Sequence, residues 1–151
     1  MILHHRLKAN EKYPEIQIIK EYGNIPKVKC YLGQLNQVFM NLLANAIDAL
    51  KESNQGRNFA YLQAHPNQIT IRTKVEDERV KISIADNGNG MSEEVKNCIF
   101  DHLFTTKDVG QGTGLGLAIA RQIVEEKHGG KLSCISALGE GTEFVIEILI
   151  D

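Results

Sequence analysis

The spacing of hydrophobic residues changes along the chain, and each change marks a predicted element. Apolar residues recur three and four positions apart through 33–52, which predicts a long amphipathic helix. The same spacing returns over 114–127, and Ser92 opens a shorter predicted helix that runs to residue 100. The polar residues 53–67 predict a loop that leaves room for a short ordered piece.

Alternation of apolar and polar residues predicts the strands. They are expected at 15–20, 28–31, 69–75, 80–84, 132–136 and 143–149. The third and fourth strands form a predicted hairpin, as do the last two, because each pair is joined by a short turn. The order of elements predicts an α+β fold, a two-layer sandwich of a mixed, mostly antiparallel sheet packed against about three helices.

Composition and charge narrow the classes of function. The 151 residues carry 17 basic and 19 acidic side chains, so neither nucleic acid nor a membrane surface is an expected partner. No apolar stretch is long enough to span a membrane. The length predicts one domain over 15–151, preceded by a linker over 1–14. Three widely spaced cysteines without a CxxC pair predict buried thiols in a reducing compartment.

The first predicted helix has a second stripe, which is polar. It consists of Gln34, Gln37, Asn41, Asn45 and Asp48. A solvated face is one interpretation, but asparagine is a poor helix former, and two asparagines four residues apart in mid-helix need a reason. Amide oxygens directed at a hard cation are a second interpretation, because magnesium takes oxygen ligands while it bridges substrate phosphates.

Two further segments combine glycine with groups that could bind a ligand. Asp86 ends a predicted strand and leads into Asn87-Gly88-Asn89-Gly90, which is either an Asx turn or a carboxylate placed to accept a hydrogen bond from an amine such as that of adenine. The glycines from Gly110 to Gly116 run into a predicted helix, whose free N–H groups favour an anion. A flexible loop is the alternative interpretation of this second segment.

Five segments resemble, in their order, the motifs of a known family. They are Asn41–Asp48 (NLLANAID, an N box), Asp86–Gly90 (DNGNG, a G1 box), Phe100–Lys107 (FDHLFTTK, an F box), Gly112–Leu117 (GTGLGL, a G2 box) and Gly139–Thr142 (GEGT, a third glycine box). This pattern resembles the ATP-binding catalytic domain of sensor histidine kinases, within the superfamily that includes gyrase, Hsp90 and MutL. The resemblance covers residues from about 15 to 150.

The resemblance implies a Bergerat-type ATP-binding fold and an enzyme of two-component signalling. Such a domain binds ATP with Mg²⁺ and transfers the γ-phosphoryl group to a histidine on a separate dimerisation domain of the parent kinase. A response regulator is then an indirect partner, and the domain is expected in the cytoplasm, without direct membrane contact, whether or not the parent is membrane-anchored. Residues 1–14 would be a linker remnant from the upstream dimerisation domain.

The resemblance also implies roles for single residues. Asn45 would be the magnesium ligand, with Asn41 beside it on the phosphate side. Asp86 would receive the adenine amino group, with support from Thr142 through water. Gly88 and Gly90 would let the base lie against the backbone.

The lid and phosphate contacts are implied in the same way. Phe104 would anchor a lid over 101–113, and Lys107 would act with Asn41 and Asn45 in catalysis. The remaining nucleotide contacts are implied for Thr105, Thr106, Lys107, Gly112, Thr113, Gly114, Leu115, Gly116 and Leu117. Asp48 is also placed at the nucleotide site, although many family members carry lysine there.

Two other functions stay open at this point. One is an ATP-hydrolysing module of the gyrase, Hsp90 or MutL kind, and the other is a nucleotide-sensing module without phosphotransfer. The residue at position 41 distinguishes an ATP-hydrolysing module from a kinase domain, because the hydrolysing relatives carry a glutamate four residues before the magnesium-binding asparagine. Here that position is Asn41, whose amide cannot accept a proton at neutral pH.

Overall fold

In the part of the chain that the structure describes, a five-stranded sheet forms one layer. The computed structural model describes residues 14–24, 30–100 and 116–150. The strands are β1 (Gln17–Tyr22), β2 (Gln68–Glu76), β3 (Arg79–Asp86), β4 (Lys131–Ser136) and β5 (Thr142–Leu149). They lie in the order β1-β2-β3-β5-β4, with β1 and β2 parallel and every other pair antiparallel. The predicted mixed, mostly antiparallel sheet is therefore confirmed.

Helices form the second layer, in which the longest and the last pack directly on the sheet. They are α1 (Leu32–Ser53), α2 (Phe59–Ala64), α3 (Glu93–Lys96) and α4 (Gly116–Gln122), and α4 continues into a π-helical turn, Ile123–Lys127. The most deeply buried residues of α1 are at most 1% exposed and follow its apolar stripe: Val38, Leu42, Ile47 and Leu50. They share one core cluster with Ile69, Ile84 and Ile146 of the central strands. This packing confirms the α+β sandwich.

The predicted helices differ from the observed ones in detail. The short ordered piece within 53–67 is α2, whose first turn is capped by Asn58 Oδ1 accepting from the Tyr61 N–H at 2.8 Å. The predicted helix over 92–100 is wrong in length, since α3 ends at Lys96 and turns follow it. A single buried side chain, Leu62 in α2, gives too short a pattern for periodicity to reveal a helix.

The predicted helix over 114–127 changes character near its end. From Ile123 it widens into the π-helical turn, where His128 Nδ1 lies 3.0 Å from the Ile123 carbonyl oxygen. The N–H of Gly130 donates to the Val124 carbonyl at 2.9 Å. A Cβ at Gly130 would lie 2.0 Å from the Glu147 carbonyl oxygen, so glycine lets the chain turn tightly from this helix into β4.

Two further predictions concern the strand over 28–31 and the burial of the cysteines. Most of the predicted strand over 28–31 lies outside the described residues, and Cys30 and Tyr31 are not in a strand. The prediction of three buried thiols is wrong, because Cys30 is exposed just before α1, and Cys98 and Cys134 are half-buried. Within the described ranges, no helix is both long and apolar enough to cross a membrane.

Candidate functional site

Three adjacent strands bring polar side chains together at one end of the sheet. Asp86 of β3 is paired with Thr142 of β5, and Thr142 is paired with Ser136 of β4. Side chains alternate between the two faces of a strand, so these three share the face that carries the buried Ile84, Phe144 and Leu132. The polar row therefore faces the helical layer, at the edge of the hydrophobic core.

Asp86 is a buried carboxylate held by backbone N–H groups. Its Oδ1 accepts a hydrogen bond from the Gly88 N–H at 2.9 Å, and the Thr142 backbone N–H also bonds to the carboxylate. Burial raises the pKa of Asp86 to about 6, although both hydrogen bonds lower it. At neutral pH the group is thus mainly an ionised acceptor, enclosed in the fold and rigidly placed at a strand end.

Glycines let the segment after Asp86 pack directly on the turn between β4 and β5. Gly90 has a φ of +73°, and a Cβ there would lie 2.0 Å from the Ala137 carbonyl oxygen. Gly141 has a φ of +80°, and a Cβ there would lie 2.2 Å from the Asp86 carbonyl oxygen. These two glycines are therefore required by contacts within the protein, a reason that the sequence interpretation did not supply.

Gly88 connects this segment to α1. A Cβ at Gly88 would lie 3.0 Å from Asp86 Oδ1 and 3.4 Å from the carbonyl oxygen of Ala49. The segment that starts at Asp86 consequently lies against the turn of α1 that holds Asn45 and Asp48, both of which are partly buried. The structure thus places the Asp86 segment against the second half of α1.

Asn41 has a partner on α4. Its Nδ2 donates to the Gly116 carbonyl oxygen at 3.1 Å, which joins the middle of α1 to the first residue of α4. Leu117 follows and packs on the core. The sequence-predicted residues Gly116 and Leu117 are therefore placed beside the stripe of α1. Eight others lie outside the described residues: Phe104, Thr105, Thr106, Lys107, Gly112, Thr113, Gly114 and Leu115.

The two flanks of the segment 101–115 contact each other. The Phe100 ring meets the Phe144 ring edge-on at a centroid distance of 6.3 Å. The Arg121 guanidinium of α4 lies 5.1 Å from the centroid of the Phe100 ring. A cation over an aromatic face is favourable, so this contact stabilises the packing of Phe100 against α4.

Sequence reasoning missed two polar residues that organise the site. Asn87 accepts from the Gln68 N–H through Oδ1 at 2.8 Å and donates from Nδ2 to the Pro66 carbonyl at 3.0 Å. Ser136 accepts from the Met91 N–H at 2.8 Å and contacts Gly141 and Thr142. The position of Asn87 in a turn next to glycine could have indicated that its side chain bonds the backbone. A serine within a strand gives no such indication in the sequence.

The donor chemistry suits a magnesium ion held largely by phosphate oxygens. The described residues include no group of three or more His, Cys, Asp or Glu side chains that could hold a metal. Asn45 is a partly buried amide one turn before Ala49, whose carbonyl lies against the Asp86 segment. Magnesium takes few protein ligands when it also binds phosphates and water, so this donor set fits the ion.

Comparison with sequence families agrees with this geometry. A model of the family described as histidine kinase-, DNA gyrase B-, and HSP90-like ATPase matches residues 32–151. The chain therefore belongs to this family. The curated sensor kinase CckA of Brucella abortus (strain 2308) is 40% identical over 137 residues, covering 87% of this chain and 14% of CckA. The chain spans 12–25% of the length of such curated relatives.

Solved structures narrow the class further. The nucleotide-free catalytic domain of histidine kinase ThkA superposes with a TM-score of 0.70 at 35% identity, covering 89% of this chain and 78% of that one. A complex of ThkA with the response regulator protein TrrA gives a TM-score of 0.66 at 28% identity, covering 90% of this chain and 34% of that one. The fold is that of a histidine kinase catalytic domain.

Proposed function

We propose that this chain is the ATP-binding catalytic domain of a sensor histidine kinase, which presents the γ-phosphoryl group of Mg²⁺-ATP to a histidine on a separate domain. The observation that carries the proposal is the buried Asp86 carboxylate at the end of β3. The segment that follows it lies against α1 at Ala49, one turn after Asn45. Membership of the ATPase family supports the same conclusion.

In this proposal Asp86 accepts a hydrogen bond from the 6-amino group of adenine, and Thr142 supports it. Gly88 and Gly90 let the base lie against the backbone that follows Asp86. Asn45 gives its amide oxygen to magnesium, which when bound neutralises charge on the β- and γ-phosphates. Asn41 lies on the phosphate side, and Asp48 borders the nucleotide.

The residues that complete the phosphate site are proposed from the motifs. Lys107 contributes a positive charge, and Phe104 anchors the lid over 101–113. The phosphates are contacted from the F and G2 boxes, through Thr105, Thr106, Gly112, Thr113, Gly114, Leu115, Gly116 and Leu117. Backbone N–H groups at the start of a helix favour anions, which is the reason to place the phosphates there.

Transfer then requires positioning rather than a base. The neutral imidazole nitrogen of the acceptor histidine attacks the γ-phosphorus, the bond to the β–γ bridging oxygen breaks, and ADP leaves. Phosphoryl transfer of this kind depends mainly on alignment and charge neutralisation. The partners that we propose are therefore the dimerisation domain of the parent kinase, for which residues 1–14 are the linker, and a cytoplasmic response regulator.

The test joins this chain to the histidine-bearing domain of its parent protein and supplies ATP labelled on the γ-phosphate. We expect acid-labile, base-stable label on that domain. We also expect Asp86→Ala to lower the affinity for ATP about tenfold or more, since an unpaired buried group costs about 1–3 kcal/mol. Glu78→Ala is the matched control, because Glu78 is exposed in the hairpin turn between β2 and β3. ATP binding without label transfer would instead favour a nucleotide-sensing module.

A further inference from the structure

The hydroxyl of Ser136 makes three hydrogen bonds beside the base end of the site. Its Oγ lies 2.8 Å from the Met91 nitrogen, 2.9 Å from the Gly141 carbonyl oxygen and 2.9 Å from Thr142 Oγ1. Ser136 therefore joins the exit of the Asp86 segment to the start of β5. It is half-buried, and it is not among the residues that the family motifs pointed to.

Counting protons fixes the direction of each of these bonds. A serine hydroxyl has one proton to donate and two lone pairs that accept. The Gly141 carbonyl can only accept, so it takes the Ser136 proton, and the Met91 N–H fills one of the lone pairs. All three contacts are satisfied together when Thr142 donates its own proton to the second lone pair. Thr142 then presents only lone pairs to the site.

We propose that Ser136 is a specificity-determining positioning residue, which makes the Thr142 hydroxyl an acceptor and so selects a purine that carries a 6-amino group over one that carries a 6-oxo group. This inference rests on the proposed function of the site. Asp86 and Thr142 are register partners on β3 and β5, so two acceptors lie side by side at the base end. A 6-oxo group would bring a third acceptor against them.

A 6-oxo purine binds less tightly because it leaves buried polar groups of the site without a hydrogen-bond partner. A site built to bond a substrate N–H discriminates strongly against an analogue without it, because the buried partners are then left unsatisfied. In Ser136→Ala the Thr142 proton loses its acceptor and turns toward Asp86 or toward the ligand. The first outcome competes with the 6-amino group and the second bonds a 6-oxo group, so we expect the preference to fall. A rise in the preference, which would follow if the proton bonded N1 of adenine, would contradict the inference.

The experiment measures the affinities of the chain for ATP and for inosine triphosphate, which differ at position 6 and in the proton on N1. We expect the wild type to prefer ATP at least tenfold and Ser136→Ala to lower that ratio about fivefold. Ser136→Thr keeps the hydroxyl and should restore the ratio. Ser133→Ala, on the opposite face of β4, is the matched control.

A double-mutant cycle with Thr142→Val tests whether Ser136 acts through the Thr142 hydroxyl. If Ser136 acts through Thr142, the substitution of Ser136 has no effect on the ratio once the Thr142 hydroxyl is gone. Equal losses for both nucleotides in Ser136→Ala would overturn the inference and leave Ser136 as a packing residue. If the alanine variant unfolds, Ser136→Cys should lower the ratio in the same direction but by less, because sulfur is a weak hydrogen-bond acceptor. Wild-type binding of neither nucleotide would overturn the proposed function as well.

Discussion

Asp86 combines a buried position with a charge that the ligand is proposed to need. Burial raises its pKa from 3.8 to about 6, although N–H groups of Gly88 and Thr142 bond to it. A carboxyl group that is harder to ionise in the folded state than in the unfolded state costs stability at neutral pH. Binding sites commonly carry such a cost, because the group is arranged for the ligand.

The first prediction concerns Asp86→Asn and the pH dependence of stability. The folded state binds the Asp86 proton more tightly, so its contribution is most favourable below about pH 4 and is lost as the pH rises through about 6. A tenfold change in proton affinity is worth about 1.4 kcal/mol, so at pH 7.5 the amide should be more stable than wild type by up to about 3 kcal/mol.

Urea unfolding from pH 4 to 8 measures this difference directly. The gap between the two proteins should open over that range, whereas the contributions of other carboxylates cancel in the comparison. Glu76 is one of these, since hydrogen bonds from Lys81 and Lys74 lower its pKa. Parallel stability curves for Asp86→Asn and wild type would show that Asp86 titrates normally in the fold.

At the scale of elements, the turn between β4 and β5 shapes the site by backbone contact. Gly139 and Gly141 lie two residues apart in this turn, with φ of +81° and +80°. A Cβ at Gly139 would have no atom within 4 Å, but at Gly141 it would lie 2.2 Å from the Asp86 carbonyl oxygen. Substitutions at Gly139 and Gly141 therefore distinguish the cost of backbone strain alone from the cost of strain together with a steric clash.

The second prediction compares Gly139→Ala with Gly141→Ala. Both place an L-residue in the left-handed region, which costs about 1–2 kcal/mol in each variant. Gly141→Ala should lose about 1–3 kcal/mol more, because the new methyl group overpacks the contact with β3. Thermal unfolding measures the stabilities, and calorimetry should show ATP affinity lowered only in Gly141→Ala. Equal effects of the two substitutions on both quantities would contradict this account.

Across the whole molecule, the two faces of the sheet have separate tasks. One face carries the core and the polar row of Asp86, Thr142 and Ser136. The other face carries charges that cross between strands, among them Arg72 with Glu21 and Glu143 and Lys81 with Glu147. The pair of Arg72 and Glu21 is exposed, and an exposed ion pair adds only about 0–1 kcal/mol, so it contributes little to stability.

The third prediction concerns catalysis by the chain alone. Hydrolysis needs a base to activate water, worth about 10²–10⁴-fold, and the amide of Asn41 cannot accept a proton at neutral pH. Steady-state phosphate release by the 151-residue chain should therefore be well below about 1 s⁻¹. Release at that rate or faster would favour an ATPase module over a kinase domain.

The sequence by itself determined the features that depend on neighbouring residues. The period of α1, the hairpin of β2 and β3, and the strand-end position of Asp86 all follow from patterns within about twenty residues, where local spacing records which side chains are buried. The length of α3 and the change of α4 into a π-helical turn were missed, because packing against neighbouring elements overrides short propensities.

Tertiary structure alone decided how the motifs meet. Strand β5 lies between β3 and β4, so Thr142 reaches both Asp86 and Ser136, whose positions differ by fifty residues. The bond from Asn41 to Gly116 likewise spans 75 positions. Hydrogen-bond direction depends on which groups converge on one hydroxyl, and no local pattern records that convergence. Only the folded sheet therefore brings Ser136 to its partners Met91, Gly141 and Thr142.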